Sequence, residues 1–395
     1  MNKKAIAILG AIFVLIVGTL GFLIYLKYSG SSKTPAPSAN QNQNGNPAAG
    51  SQPATTTAQT TGQNPATTTP VTGPPPAMGL LTSDQVVSPA LFFNGGGITY
   101  FDNQGNLFQA AIQTNAGQLS LTGKKQLDIP TKSSITKIFW PQKGNDFIIQ
   151  TNNPVTGRYS WSYFNSTLGT YTDFPPQVAS FDWMPNGTQI AYIWINGGKA
   201  VLEAGDPAFK SWQKIGDLYQ NDNVISVSPD GSQILFYESE PAGTQNPINS
   251  VSIDGKVWKG LIKDGFNYGV LWSPDGQKFI FGKKDPVSLQ FQLWYDNLAS
   301  GETKNLGLFT TTQKAVWGSD SNTIYAAVPS SPAANPNSLT NDTFFRLNTT
   351  TLDKQQFSIG NTPVDGENLF LSTDGNDLFF KNAQDGGLYY LNVAQ

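Results

Sequence analysis

The chain has 395 residues, 24 of them basic and 27 acidic, with 39 Gly, 26 Pro, 24 Phe, 14 Tyr and 9 Trp. It contains no Cys and no His, which removes disulfides, thiolate chemistry, Ser-His-Asp and Cys-His arrangements and every His-based zinc or iron site. Such an aromatic, Gly- and Pro-rich composition fits an all-β, turn-rich body of one to three domains.

The first element is apolar. Ala5 to Leu26 is an uncharged run of 22 residues, enough as a helix to span roughly 33 Å at 1.5 Å per residue. Lys3, Lys4 and the amino terminus precede it, and only Lys27 and Lys33 lie close behind. The positive-inside rule then places the N-terminus in the cytoplasm and the remainder outside. The expectation is an uncleaved single-pass anchor over residues 1–28. A cleaved signal peptide is the competing reading, disfavoured by the length of the run and the lack of a small-x-small site.

Residues 29–78 consist almost wholly of Ser, Thr, Pro, Ala, Gln, Asn and Gly, with Lys33 their only charge. They are expected to be a disordered linker, because so little apolar surface cannot offset the entropy of ordering. As a flexible coil it holds the folded part on the order of 40 Å from the membrane. Its Thr-rich pieces resemble O-glycosylated stalks, with an unmodified spacer as the plainer reading.

From residue 79 to 395 the chain repeats itself. The stretch Leu271–Gly282 joins an apolar pair ending in Trp272 to a Ser-Pro-Asp-Gly turn and a second apolar run. Equivalent stretches run through Trp140, through Trp183 with Pro185 and Gly187, through Val227 with Pro229, Asp230 and Gly231, through Trp317, and through Leu371 with Asp374 and Gly375. The steps from position 140 to 183, 227, 272, 317 and 371 are 43, 44, 45, 45 and 54 residues. A period of about 40–45 residues with short strands is the signature of a propeller blade. Pro fixes φ, Asp bonds the local backbone and Gly supplies positive φ, so Asp230-Gly231 and Asp275-Gly276 read as tight hairpins between buried strands. A plain β-sandwich gives no reason for a Trp at this interval. A weaker copy at Leu91–Phe108 makes seven blades, with six or eight as alternatives. The last copy ends without an outer strand, and Met78–Val87 is placed to supply it and close the ring.

The WSPDG-type turn at Trp183, Pro229 and Trp272 resembles the WD40-like propeller repeat of the TolB C-terminal domain and of prolyl-oligopeptidase-type propellers. The resemblance covers most of residues 90–395 and implies a propeller that serves as an interaction platform in a bacterial envelope. The chain departs from TolB in carrying an apolar N-terminal run and no N-terminal α/β domain, and it has no room for an attached hydrolase domain.

Functional candidates come from the loops. The connections Glu238–Asn249 and Val328–Asp342 are long, polar and Pro-containing, and variable loops on a rigid scaffold are where recognition sits. Glu238, Glu240, Asp285, Asn335 and Asn337 are the rim candidates, while Trp140, Trp183, Pro229, Asp230, Gly231, Trp272, Asp275, Gly276 and Trp317 are read as structural repeat positions. Two carboxylates suffice for a glycosidase, so Glu238, Glu240, Asp285 and Asp365 are catalytic candidates by residue type, and they read as solvated loop charges. Two arginines, Arg158 and Arg346, cannot build a sialidase-type arginine cluster. Asp217 to Asn223 offers oxygen ligands without the closing Glu of an EF-hand loop and reads as a surface turn. Trp161, Trp194, Trp212, Trp258 and Trp294 fall outside the repeat position and are the candidates for exposure. All 27 acidic residues and 20 of the 24 basic ones lie at or beyond Asp84, giving that part a net charge near −7 and disfavouring nucleic acid. The expected function is non-catalytic binding of an envelope protein or glycan, with no cofactor or metal. The alternative is an extracellular hydrolase or lyase acting on glycan or peptide through carboxylates at the propeller mouth.

Overall fold

The structure, a computed structural model, describes residues 78–394 apart from 93–94, 116, 239–244, 286, 289, 332–337 and 361. The anchor and almost all of the linker expected from the sequence lie outside the described residues. Among the described residues no helix is long and apolar enough to cross a membrane, and the only helical element is a single 3₁₀ turn, Thr312–Lys314.

The described chain forms seven four-stranded antiparallel sheets, each built from strands nearly consecutive in sequence. Their inner strands are Val87–Leu91, Ile135–Phe139, Val178–Trp183, Asn223–Val227, Phe266–Trp272, Ala315–Trp317 and Gly366–Leu371, which begin blades 1 to 7 in order. Blades 1 to 6 then run outward through their second, third and outer strands. Blade 7 runs out after its third strand, Leu388–Asn392, and its outer strand is Met78–Thr82 from the other end of the ring. Met78 pairs with Leu391, Gly79 with Tyr390 and Leu80 with Tyr389, so the closure expected from the sequence forms and begins at Met78. The expected seven blades are likewise present, with the third strands of blades 2 and 5 at Tyr159–Asn165 and Phe291–Asn297.

Second strands such as Ile190–Asn196 and Lys278–Lys284 carry runs of wholly buried residues, among them Ile190, Ala191, Ile193, Phe279, Ile280 and Phe281. They lie in the middle of each sheet and face a neighbouring blade on both sides, which explains their unbroken apolar sequence. Each such Phe or Ile contributes about 1.5–3 kcal/mol by leaving water. The core is accordingly a set of interblade clusters, for example Ile193, Leu202, Ile225 and Ile234 between blades 3 and 4.

The repeat motif does two jobs. In the turn of blade 4, Ser228 Oγ donates to Asp230 Oδ1 at 2.6 Å, Gln233 N donates to Ser228 Oγ at 3.0 Å, and Gly231 N donates to Ser228 O at 2.8 Å. Ser273 with Asp275 and Ser372 with Asp374 repeat the 2.6 Å bond. The turns also nest against one another: a Cβ at Gly187, whose φ is +71°, would lie 2.0 Å from the Lys143 carbonyl oxygen of the preceding turn. The second job belongs to the indoles. Trp140 Nε1 donates to Ser88 O at 2.8 Å, Trp183 to Phe139 O at 2.9 Å, Trp272 to Ser226 O at 3.3 Å and Trp317 to Leu271 O at 3.0 Å. In every case the acceptor lies on the inner strand of the preceding blade.

Replacing Trp183 with Phe removes one such donor and leaves the Phe139 carbonyl without it, at a cost of about 1–3 kcal/mol. Thermal unfolding followed by circular dichroism should show the loss for Trp183→Phe and no comparable loss for Trp212→Phe, whose indole is exposed on an outer strand.

Candidate functional site

Strand direction divides the ring into two faces. Turns between first and second strands, and between third and outer strands, lie on one face, the turn face. Loops between second and third strands, and the connections between blades, lie on the opposite face, the loop face.

The predicted rim residues divide sharply. Glu238, expected as a solvated charge, is buried at the loop end of the second strand of blade 4. Gln220 Nε2 donates to its carboxylate, and its backbone is held on both sides by Asn246, whose Oδ1 accepts from Glu238 N at 2.9 Å and whose Nδ2 donates to Glu238 O at 2.8 Å. Asp285 caps its own loop, Oδ1 accepting from Val287 N at 2.9 Å and Ser288 N at 2.7 Å. Glu240, Asn335 and Asn337 lie outside the described residues. The Asp217 to Asn223 stretch is held by local bonds: Asp217 pairs with Lys214 at 2.7 Å and Asn223 Nδ2 donates to Gln220 O at 2.9 Å. Among the described residues no group of three or more acidic side chains is placed to hold a metal ion.

Asp365 also departs from the solvated reading. Lys314, on the connection from blade 5 to blade 6, donates to Asp342 Oδ2 at 2.6 Å, Asp365 Oδ1 at 2.5 Å and Thr340 Oγ1 at 2.8 Å. Asp342 Oδ2 further accepts from Gly366 N at 2.9 Å, and Asp365 Oδ2 from Thr340 N at 3.0 Å. One ammonium thus ties the long loop of blade 6 to the start of blade 7, with both carboxylates nearly out of solvent. Burial alone would raise the Asp365 pKa, but the bonds from Lys314 and Thr340 outweigh it and hold the carboxyl below its usual range. Sequence spacing gave no signal for this cluster, since its partners are 28 and 51 residues from Lys314.

A second unforeseen pair stands on the inner strands, where Lys137 of blade 2 and Asp182 of blade 3 interact electrostatically. Burial lowers the lysine pKa against the pull of Asp182. Burial raises that of Asp182 to about 6, opposed by bonds from Val227 N and Trp183 N and by Lys137. Asp182 Oδ2 accepts from Val227 N at 2.8 Å, a link from blade 3 to blade 4. A charged residue beside the motif Trp, in the sequence Ser-Phe-Asp-Trp, was the available signal.

The loop face also carries exposed apolar side chains. Val155 and Tyr159 of blade 2, Tyr219 after blade 3, Val287 of blade 5, Phe309 after blade 5 and Leu339 of blade 6 are all exposed. The repeat tryptophans Trp183, Trp272 and Trp317 are buried, whereas Trp212 and Trp258 are exposed. Trp161, Trp194 and Trp294 are half-buried.

No family model matches the sequence, and no curated protein does. Solved structures do match. Oligogalacturonate lyase from Vibrio parahaemolyticus is 11% identical over 80% of this chain and 93% of its own, with a TM-score of 0.55. The β-propeller domain of Cps50 (Swd1) from Myceliophteria thermophila is 11% identical over 81% of this chain and 100% of its own, at 0.54. TolB from Acinetobacter baumannii is 17% identical over 76% of this chain and 79% of its own, at 0.43. At these identities the lyase and the Cps50 domain share the propeller fold with this chain. The class is therefore an all-β, seven-bladed propeller.

Two substitutions test the charged clusters. Lys314→Met leaves two desolvated carboxylates facing each other, which should cost about 3–5 kcal/mol at neutral pH. With the ammonium gone, burial acts on the Asp365 carboxyl without its main counterweight and raises its pKa, so the variant should regain stability as pH falls towards 5, in chemical denaturation followed at several pH values. For Asp182 the folded pKa lies above the ordinary value of 3.8, so its ionisation opposes folding as pH rises through 4 to 6. Asp182→Asn keeps an acceptor for Val227 N and should be more stable than the parent at pH 7, by roughly 1–2 kcal/mol allowing for solvent along the ring axis. The difference should close near pH 4.

Proposed function

We propose that this chain is a single-pass membrane protein, N-terminus in the cytoplasm, whose propeller stands outside on a flexible stalk and binds a protein or glycan partner of the cell envelope without chemistry of its own. The topology rests on the 22-residue apolar run behind Lys3 and Lys4 and on the linker composition of residues 29–78. The binding role rests on the loop face, where Val155, Tyr159, Tyr219, Val287, Phe309 and Leu339 present apolar surface to solvent instead of to an interblade core.

A lyase among the structural neighbours is a propeller that carries chemistry, so the fold alone does not choose between enzyme and binder. The side chains favour the binder. Glu238, Asp285 and Asp365 each accept hydrogen bonds that hold a loop in shape, and a general acid or base needs a carboxyl free to reach substrate.

The absence of Cys makes the test direct. In intact cells, an impermeant maleimide should label a Ser300→Cys variant and spare Lys3→Cys. A photo-crosslinking residue at Val287 or Leu339 should give an adduct of defined mass that the same residue at Leu168, on the turn face, does not give. Labelling of Ser300→Cys only after lysis would overturn the topology. Adducts absent from the loop face, or equal on both faces, would overturn the binding rim.

A further inference from the structure

Away from the loop face, the outer strands of blades 3 and 4 begin at equivalent places with an exposed tryptophan: Trp212 opens Trp212–Leu218 and Trp258 opens Trp258–Ile262. Their exposures are 62% and 41%. Trp258 is nonetheless fixed. Its Nε1 donates to Gly255 O at 2.9 Å, and its ring meets Phe236 edge to face at 5.6 Å. Its Cζ2 edge rests on Gly216 of blade 3, where a Cβ would be only 2.4 Å away. The indole edge is thus committed and a rigid apolar face is left open, with its ordering entropy already met by the fold. No lysine stacks on either indole among the described residues.

Lysines lie beside both rings in sequence, Lys210 and Lys214 two residues to either side of Trp212, Lys256 two residues before Trp258 and Lys259 directly after it. Lys214 pairs with Asp217 and Lys256 with Asp254, both at exposed positions where such pairs hold weakly and exchange readily. Lys210 and Lys259 are exposed and have no ion pair among the described residues. An excess of lysine around bare indoles stands out in a region whose net charge is near −7.

We infer that the outer edges of blades 3 and 4 bind an acidic polysaccharide, sugar rings stacking on Trp212 and Trp258 and acid groups meeting Lys210, Lys214, Lys256 and Lys259. An indole face suits the flat C–H side of a pyranose, because the π-face is electron-rich and the C–H edge positive. The same aromatic-plus-lysine set on successive blades suits a polymer that repeats its unit. This site does not depend on the loop-face reading, and none of its residues lies there.

The test is affinity electrophoresis of the full chain in mild detergent, through gels holding alginate, a uronate polymer, or neutral dextran. Alginate should retard the protein, dextran should not, and the effect should weaken as salt rises. Trp212→Ala with Trp258→Ala should lower the apparent affinity about tenfold, as the loss of two stacking contacts implies. Lys210→Glu with Lys259→Glu should do the same while leaving the thermal unfolding curve in place, which separates binding from folding if the tryptophan variant is unstable. Gly216→Ala, which displaces Trp258, should weaken retardation as well. No retardation by alginate, retardation untouched by the paired variants, or equal retardation by dextran would overturn the inference. So would binding to phosphatidylglycerol vesicles, with the same tryptophan and lysine dependence, in place of alginate.

Discussion

The structure depends on the hydrogen bond from a motif indole to the inner strand of the blade before it. Propeller blades are separate sheets held together mainly by side-chain contact, since among the described residues no continuous backbone ladder crosses from one sheet to the next and the backbone links are isolated, as at Asn246 and Gly265. A buried apolar seam is non-directional and tolerates sliding. The N–H of Trp140, Trp183, Trp272 or Trp317 fixes its register at one point, on Ser88, Phe139, Ser226 or Leu271. The ring size of the indole fills the seam while its polar end reaches the carbonyl, which is why Trp and not Phe recurs.

Blade 4 shows what the constraint demands when the residue is missing. Its motif position is Val227, which has no donor in its side chain. Blade 4 still donates to blade 3, but the side chains now come from the earlier blade, with Asp182 accepting from Val227 N and Ser180 Oγ accepting from Ile225 N at 3.2 Å. Register is kept, but a half-buried carboxylate now lies in the seam and its pKa is pushed up. Between blades 6 and 7 the same need is met by Lys314 and its two aspartates. At the last seam, the backbone ladder of Met78–Thr82 on Leu388–Asn392 closes the ring, and Asp84 just beyond it accepts from Lys124 at 2.5 Å and from Tyr100 of blade 1.

The parts legible in the sequence are those set by local chemistry repeated seven times. Ser-Pro-Asp-Gly specifies its hairpin within four residues, and a buried second strand must be apolar throughout, so period, blade number and closure could all be read. Polar partners drawn from distant blades could not. Glu238 and Asp365 look like loop charges by composition, yet Asn246 locks the first into the core and Lys314, 51 residues away, neutralises the second. Exposure was half legible: Trp212 and Trp258 lie off the repeat position and are exposed, but Trp161, Trp194 and Trp294 share that property and pack against neighbours such as Phe181, Phe209 and Lys283.

Those two kinds of residue also separate scaffold from recognition. Every motif residue that repeats is consumed by a turn or a seam, so it is unavailable to a partner and a poor place to look for one. Side chains that break the repeat have no such duty. Where they are polar, as at Asp182 and Lys314, they have been drawn into ties between blades. Where they are large and apolar and still face water, as on the loop face and at Trp212 and Trp258, the fold leaves part of their apolar surface uncovered. A surface kept at that cost in a stiff ring is a surface held ready for a ligand.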